Sequence, residues 1–219
     1  GGAEGLGRAK DGVMEADFTT LGEADRYRLL TNFVGPRPIA LVTTINEDGS
    51  NNAAPMSFFN VFSHEPPLLV LGIQPRKDGR AKDTLANLRR TGSFTVNMVD
   101  MALAHAMAMT AMPVEPGVDE LVLAGLTPRD GHSIAPRSVA ESPCILECRV
   151  ERCLDWPKRT LVIGEVLFMR VRPDCLDAAG RYVNADRYHP IARLHADNYI
   201  VADHQFELKV PPLPEEVPG

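Results

Sequence analysis

The most restrictive signal in this chain lies near position 48. Ile39 to Ile45 is rich in β-branched residues, Asn46-Glu47-Asp48-Gly49-Ser50 follows, and a second extended stretch returns from Asn51 to Phe62. Asp-Gly at the centre of a short loop between two extended segments specifies a hairpin, because the pair tolerates the positive backbone angles of a tight turn. Antiparallel neighbours are therefore the rule here, and later segments keep to it. Pro66-Pro67 breaks the chain before a short apolar strand, Leu68 to Ile73, and Ser93 to Val99 reads as another. Farther on, Leu146, Cys148 and Val150 alternate with Glu147, Arg149 and Glu151, the period of a sheet with one wet face. The strand from Thr160 to Arg172 is apolar on both faces, which suits a central or interface position.

Helices are inserted between these strands. Residues 23–31 read as a short amphipathic helix, ended by Gly35-Pro36-Arg37-Pro38. A second starts at Asp83 or a neighbour, runs to about Arg90 and closes at Gly92. A third, Asp100 to Met109, is apolar nearly all round, so burial is expected, with Met101, Met107 and Met109 as core filler. Residues 113–142 carry many Pro and Gly and read mostly as loop. No βαβ rhythm occurs and no G-x-G-x-x-G follows a strand, which argues against a Rossmann domain. A closed or nearly closed antiparallel barrel with helical insertions fits better. The chain divides into an N-terminal extension over 1–22, one domain over 23–205, and a Pro-rich tail over 206–219 that orders only where it docks.

The formal charge of −6 argues against nucleic acid as the main partner, since a phosphate backbone needs a basic surface. It leaves room for a small anion in a local basic patch. No apolar run is long enough to cross a bilayer, and the N-terminal segment lacks a signal-peptide core. Cys144, Cys148, Cys153 and Cys175 fit no zinc spacing and read as free thiols of a cytoplasmic protein. His189, His195, His204, Asp197 and Asp203 fall close together but match no metal motif, so no metal is expected. No G-x-S-x-G hydrolase signature is present.

Two segments are candidates for chemistry. In Asn51-Asn52-Ala53-Ala54-Pro55-Met56-Ser57-Phe58-Phe59-Asn60, small residues allow a flat ligand close to the backbone. Pro55 removes a donor and pushes the strand toward an edge or bulge. The Ser57 hydroxyl is left to bond a ligand. The second segment is Arg76-Lys77-Asp78-Gly79-Arg80-Ala81-Lys82-Asp83-Thr84, a basic loop feeding a helix start. A helix start offers N–H groups and partial positive charge to a phosphate. Each segment alone has a plainer reading: a bulged strand and a solvated loop.

Together with Arg37-Pro38-Ile39-Ala40-Leu41-Val42-Thr43-Thr44, Pro66-Pro67, Phe94-Thr95-Val96-Asn97 and Pro190-Ile191-Ala192-Arg193-Leu194, these segments resemble the flavin reductase-like, FMN-binding family. That group includes flavoredoxin and the reductase components of two-component monooxygenases. The resemblance implies a mainly β fold with inserted helices, an FMN-binding split β-barrel of Greek-key type, and a homodimer with FMN near the subunit interface. It places Ala54, Pro55, Met56, Ser57, Phe58 and Asn60 along the isoalloxazine and ribityl chain. Lys82 and Thr84 fall near the phosphate, with Arg76 as a further phosphate contact. Arg37 and Thr43 become flavin neighbours, and Arg193 and Tyr199 border the pocket from the same or the other subunit. The chain departs from the family at His195-Ala196-Asp197-Asn198, where relatives carry a Gly-rich stretch; a bulkier turn would narrow nicotinamide access.

The activity implied is hydride transfer from NAD(P)H to FMN, with reduced flavin or its electrons passing to a monooxygenase or another acceptor. The flavin performs that step, so no protein acid, base or nucleophile is expected. Two rivals share the pocket: an FMN electron carrier fed by a protein donor, and a non-enzymatic flavin-binding protein. Fold alone does not choose among them.

Overall fold

Gly49 turns the first hairpin at φ +84°, the left-handed backbone that its place after Asp48 provides for. The computed structural model describes residues 6–8, 14–75, 82–115 and 117–213. The chain opens with a small strand pair, β1 (Leu6–Arg8) and β2 (Met14–Ala16), and helix α1 (Glu23–Phe33). Then come β3 (Arg37–Pro38), β4 (Ala40–Ile45), β5 (Asn51–Met56), β6 (Phe59–His64) and β7 (Pro67–Ile73). Helix α2 (Asp83–Thr91) leads to β8 (Ser93–Met98), followed by α3 (Ala104–Thr110) and α4 (Glu120–Leu123). A minor pair, β9 (Pro128–Arg129) and β10 (Ser138–Val139), precedes the long hairpin β11 (Cys144–Trp156) and β12 (Arg159–Val171). Strands β13 (Ile191–Arg193) and β14 (Tyr199–Val201) close the fold.

Seven strands form one antiparallel sheet in the order β5-β4-β8-β11-β12-β7-β6. Its two edge strands are consecutive in sequence, joined only by Ser57 and Phe58. Among the described residues these edges do not pair with each other, so the barrel stays open along the seam between them. The corner is fixed from β7, where Gly72 N–H donates to the Phe58 carbonyl at 2.8 Å. A Cβ at Gly72 would stand 3.1 Å from that of Phe58, so glycine permits the close approach.

Strand β4 is buried on both faces. Ala40 and Val42 join a cluster with Leu69, Leu71, Leu88 and Phe94, while Leu41 joins Val99, Met107, Leu121 and Val139. Helix α2 therefore seals one side of the sheet through Leu85 and Leu88, and α3 and α4 seal the other. Gly92, at φ +69°, ends α2 in the left-handed cap expected of a helix-closing glycine. Among the described residues no helix is long and apolar enough to cross a membrane.

Several expectations are corrected. The stretch 51–62 is two strands rather than one, because the Ser57–Phe58 corner interrupts it. Residues 113–142 are mostly loop as expected, though α4 and the β9–β10 pair interrupt them. The segment after Asp100 begins as a 3₁₀ turn (Met101–Leu103), and Met101 is 61% exposed, while Met107 is core as expected. Glu147 does not face water: it is fully buried, and its carboxylate accepts the N–H groups of His132 and Ser133, both at 2.7 Å.

Candidate functional site

The open seam has two unequal halves. On β5, the outward N–H of Asn51 donates to Asp119 at 3.2 Å, and that of Ala53 donates to Glu120. Antiparallel alternation puts residue 55 on the same outward side, and a proline there has no N–H to cover. Its carbonyl faces the seam. From Pro55 to the corner the edge is lined by cavities rather than by α4.

Two cavities share Pro55, Met56 and Ser57. The first, about 120 Å³, adds Phe58, Gly72, Gln74, Lys82, Tyr27 and Arg159. The second, about 340 Å³, lies between an apolar wall of Ile39, Met107, Ala108 and Ala111 and a polar wall of Arg193, Asp197 and Tyr199. Strand β5 thus carries one continuous surface from a lysine at a helix start to an arginine–tyrosine pair.

Lys82 is the N-cap residue of α2, extended at φ −63° and ψ 150°. The helix start is set against the first hairpin by buried amides. Asn52 donates to Thr44 at 3.0 Å and to Thr84 at 2.9 Å, and Asn87 donates to Thr44 at 3.1 Å and Asn46 at 2.8 Å. Thr84 is 1% exposed, so its side chain anchors the helix behind the cavity rather than lining it. Thr43 lines neither cavity: its hydroxyl donates to the Arg137 carbonyl at 2.6 Å. Ala54 packs against the core. Arg76 lies outside the described residues.

Arg37 and Asn60 line a third groove, about 580 Å³, on the outer side of Phe58 with Leu30, Val34 and Phe62. Arg37 is chiefly a tie. Its guanidinium donates to the carbonyls of Thr31 (2.9 Å), Val34 (2.7 Å) and Leu194 (3.0 Å), holding the end of α1 to the end of β13. On the other wall, Arg193 donates to the Tyr199 hydroxyl at 2.6 Å, lies 4.9 Å from that ring's centroid and pairs with Asp197 at 3.3 Å. The turn between them holds Ala196 at φ +49°, a left-handed residue without the freedom of glycine.

Arg159 and Tyr27 escaped the sequence reading. Phe58 separates the first cavity from the outer groove, with Arg159 4.6 Å and Arg37 5.9 Å from its ring and Tyr27 stacked at 6.3 Å. Burial pushes both arginines below their ordinary pKa, yet a guanidinium stays cationic in a protein. No local motif marks Tyr27 or Arg159; they reach the corner from α1 and from the tip of the long hairpin. The four cysteines are unpaired, and burial pushes the Cys144 thiol up to about 11, so it is protonated at neutral pH.

Comparison with known proteins agrees with this geometry. Component B of nitrilotriacetate monooxygenase from Bacillus cereus superposes with a TM-score of 0.84 at 34% identity, covering 90% of this chain and 98% of that one. The 2-nitrobenzoate 2-nitroreductase of Pseudomonas fluorescens gives 0.82 at 32%, covering 90% and 96%. A Shewanella frigidimarina structure described by its split barrel domain shares the fold at 0.76 and 20% identity, covering 94% and 100%. The family model described as a flavin reductase like domain matches residues 35–192, a span that holds the seam, the corner and the lysine at the start of α2, and the chain belongs to that family.

Proposed function

We propose that this chain binds FMN along the open seam of the split barrel and reduces it with hydride from NAD(P)H. One observation carries the reading: two cavities share the Pro55–Ser57 segment, one ending at Lys82 beside a helix start, the other between small apolar residues and Arg193. The residues suit the group. The start of α2 presents backbone N–H groups and partial positive charge to a phosphate, and Lys82 adds a charge-assisted bond. Ala108 and Ala111 leave room for a flat ring, while the Pro55 carbonyl and the Ser57 hydroxyl supply polar contacts. Arg193 favours negative charge on whatever occupies that wall.

Bound FMN would supply the hydride-accepting chemistry. The chain's own residues hold and orient. Met56 and Ser57 set the height of a bound ring, and Phe58, clamped by Arg159 and Tyr27, closes the outer side. None is assigned a proton transfer.

The same reading includes a homodimer that covers the exposed Phe33 (75%), Val34 (61%) and Phe62 (70%), since a patch of large apolar side chains invites association. It includes an electron acceptor of the monooxygenase type, by analogy with the component B relative. A cytoplasmic location suits four unpaired cysteines. The test is flavin absorbance of the purified protein titrated with FMN, before and after anaerobic NADH and NADPH. Bleaching by either nucleotide is expected. FMN uptake without bleaching would assign the chain to the electron carriers instead, and no FMN uptake would remove the reading altogether.

A further inference from the structure

The far end of the long hairpin holds a second concentration of polar groups. Arg129 on β9, Arg170 at the end of β12 and Arg172 just beyond it line one cavity of about 410 Å³. Half of its lining is apolar, and of those residues Ala140 and Pro173 are exposed and Val171 half-buried, while Val139 and Ile145 are buried. Arg170 stands eleven positions from Arg159, so at a strand rise of about 3.3 Å per residue the path along β12 to the flavin corner is roughly 36 Å. This cavity is separate from the seam.

The three arginines are not equally satisfied. Arg172 donates to Asp174 at 2.7 Å and lies 3.5 Å from Asp100, so its charge is met by two carboxylates. Among the described residues no carboxylate pairs with Arg129 or Arg170. Among the described residues the Arg170 Nη1 is buried without a hydrogen-bond partner, and its guanidinium lies 5.5 Å from the centroid of the Phe168 ring. A buried guanidinium N–H without an acceptor is costly, and such a group in a native fold calls for an explanation. The serines at the rim do not provide one. Ser142 donates to the carbonyls of Met98 (2.7 Å) and Cys144 (2.9 Å), and Ser138 is directed at the Arg129 carbonyl at 3.4 Å.

We propose that this cavity binds a small organic anion, its carboxylate or phosphate head on Arg170 and Arg129 and its apolar body against Ala140, Val171 and Pro173. The guanidinium fork matches both head groups. The volume suits a compact molecule rather than a dinucleotide, given that pockets for drug-sized ligands run from about 300 to 1,000 Å³. In a chain of formal charge −6, three arginines lining one cavity are not a by-product of a basic surface.

The test uses the full chain, with saturation-transfer NMR and calorimetry at fixed ionic strength. Benzoate and inorganic phosphate are the probes, and benzyl alcohol is the neutral control. Wild type is expected to bind benzoate or phosphate but not benzyl alcohol; the preferred anion identifies the head group. Arg170→Met should weaken that binding at least tenfold, and the exposed Arg129→Met should weaken it severalfold, while FMN titrations of both variants stay unchanged. The proposal is overturned if neither anion binds, if both variants bind as well as wild type, or if the probe competes with FMN. It is also overturned if Arg170→Met alters only the oligomeric mass by light scattering, since the guanidinium would then serve a second copy of the chain.

Discussion

Adding one methyl group at Gly72 tests whether the Ser57–Phe58 corner is where the flavin sits. The new Cβ would stand 3.1 Å from the Phe58 Cβ, 3.6 Å from its Cδ2 and 3.7 Å from the Arg159 Cδ. The first of these is too close. Because the Phe58 Cβ is attached directly to the backbone, relief moves the corner itself, whose carbonyl is also bonded to Gly72 N–H. Gly164→Ala is the control. Its Cβ would meet the Phe94 ring at 2.5 Å and Leu69 at 3.4 Å, inside the core and away from the cavities. Overpacking of this kind costs about 1–3 kcal/mol, with Gly72→Ala expected near the lower end and Gly164→Ala near the upper. A corner shift that removes about 1 kcal/mol of binding weakens FMN roughly fivefold. Urea unfolding measures the stabilities, and quenching of FMN fluorescence measures affinity in the folded protein. The two variants should order oppositely: Gly164→Ala less stable with FMN affinity within about twofold of wild type, Gly72→Ala nearly as stable with weakened FMN. Equal loss of affinity in both, or none in Gly72→Ala, would refute it.

Lys82→Met should weaken FMN by about 10- to 100-fold, the range for losing a hydrogen bond to a charged group, while riboflavin binding by calorimetry stays unchanged. Glu147→Ala strips the acceptor from two buried N–H groups and should cost about 2–5 kcal/mol in urea unfolding without moving FMN affinity. Ala196→Gly relieves a left-handed residue and should stabilise by about 1 kcal/mol, read as a melting temperature about 2–4 °C higher. Burial raises the Cys144 thiol from 9.0 to about 11, so its neutral form is favoured by folding. That contribution, at most about 3 kcal/mol, is complete below pH 9 and fades as pH rises toward 11, so urea midpoints at pH 8 and 10 should differ, and less so in Cys144→Ala.

How much of this was legible in the residues depends on how local each signal is. The Asp48-Gly49 hairpin, the Gly92 cap and the apolar Thr160–Arg172 strand are set by neighbours in sequence, and all three stand where their residue types indicate. Pro55 announced an edge, and β5 is an edge. Glu147 was misread because alternation reports which face a side chain takes, not whether the loop at 132–133 folds back over that face. Met101 was misread because an apolar sequence does not say how many sides of a short helix find partners. At the candidate site, Lys82 and Met56 are recognisable from their own segments. Thr43 and Thr84 have suitable chemistry, but the Thr43 hydroxyl donates to the Arg137 carbonyl and Thr84 is buried. Arg159 and Tyr27 arrive from the long hairpin far downstream and from α1 upstream of the corner, a convergence that only the folded topology creates.

That convergence follows from the way the sheet ends. An edge strand presents unpaired N–H and C=O groups, and a protein must cover them, charge them or use them. Along β5 the first part is covered and the rest is left open. Asp119 and Glu120 accept the edge donors of Asn51 and Ala53, and Pro55 removes the next donor outright. Beyond it, the chain turns through Ser57 and Phe58 to become the opposite edge of the same sheet. The seam cannot zip shut there, since Pro55 offers no N–H and the Phe58 carbonyl is already taken by Gly72. What is left is a stretch of polar backbone flanked by apolar walls, reached by a lysine from one side and an arginine from the other. The defect that keeps the barrel split therefore also leaves the two cavities along β5.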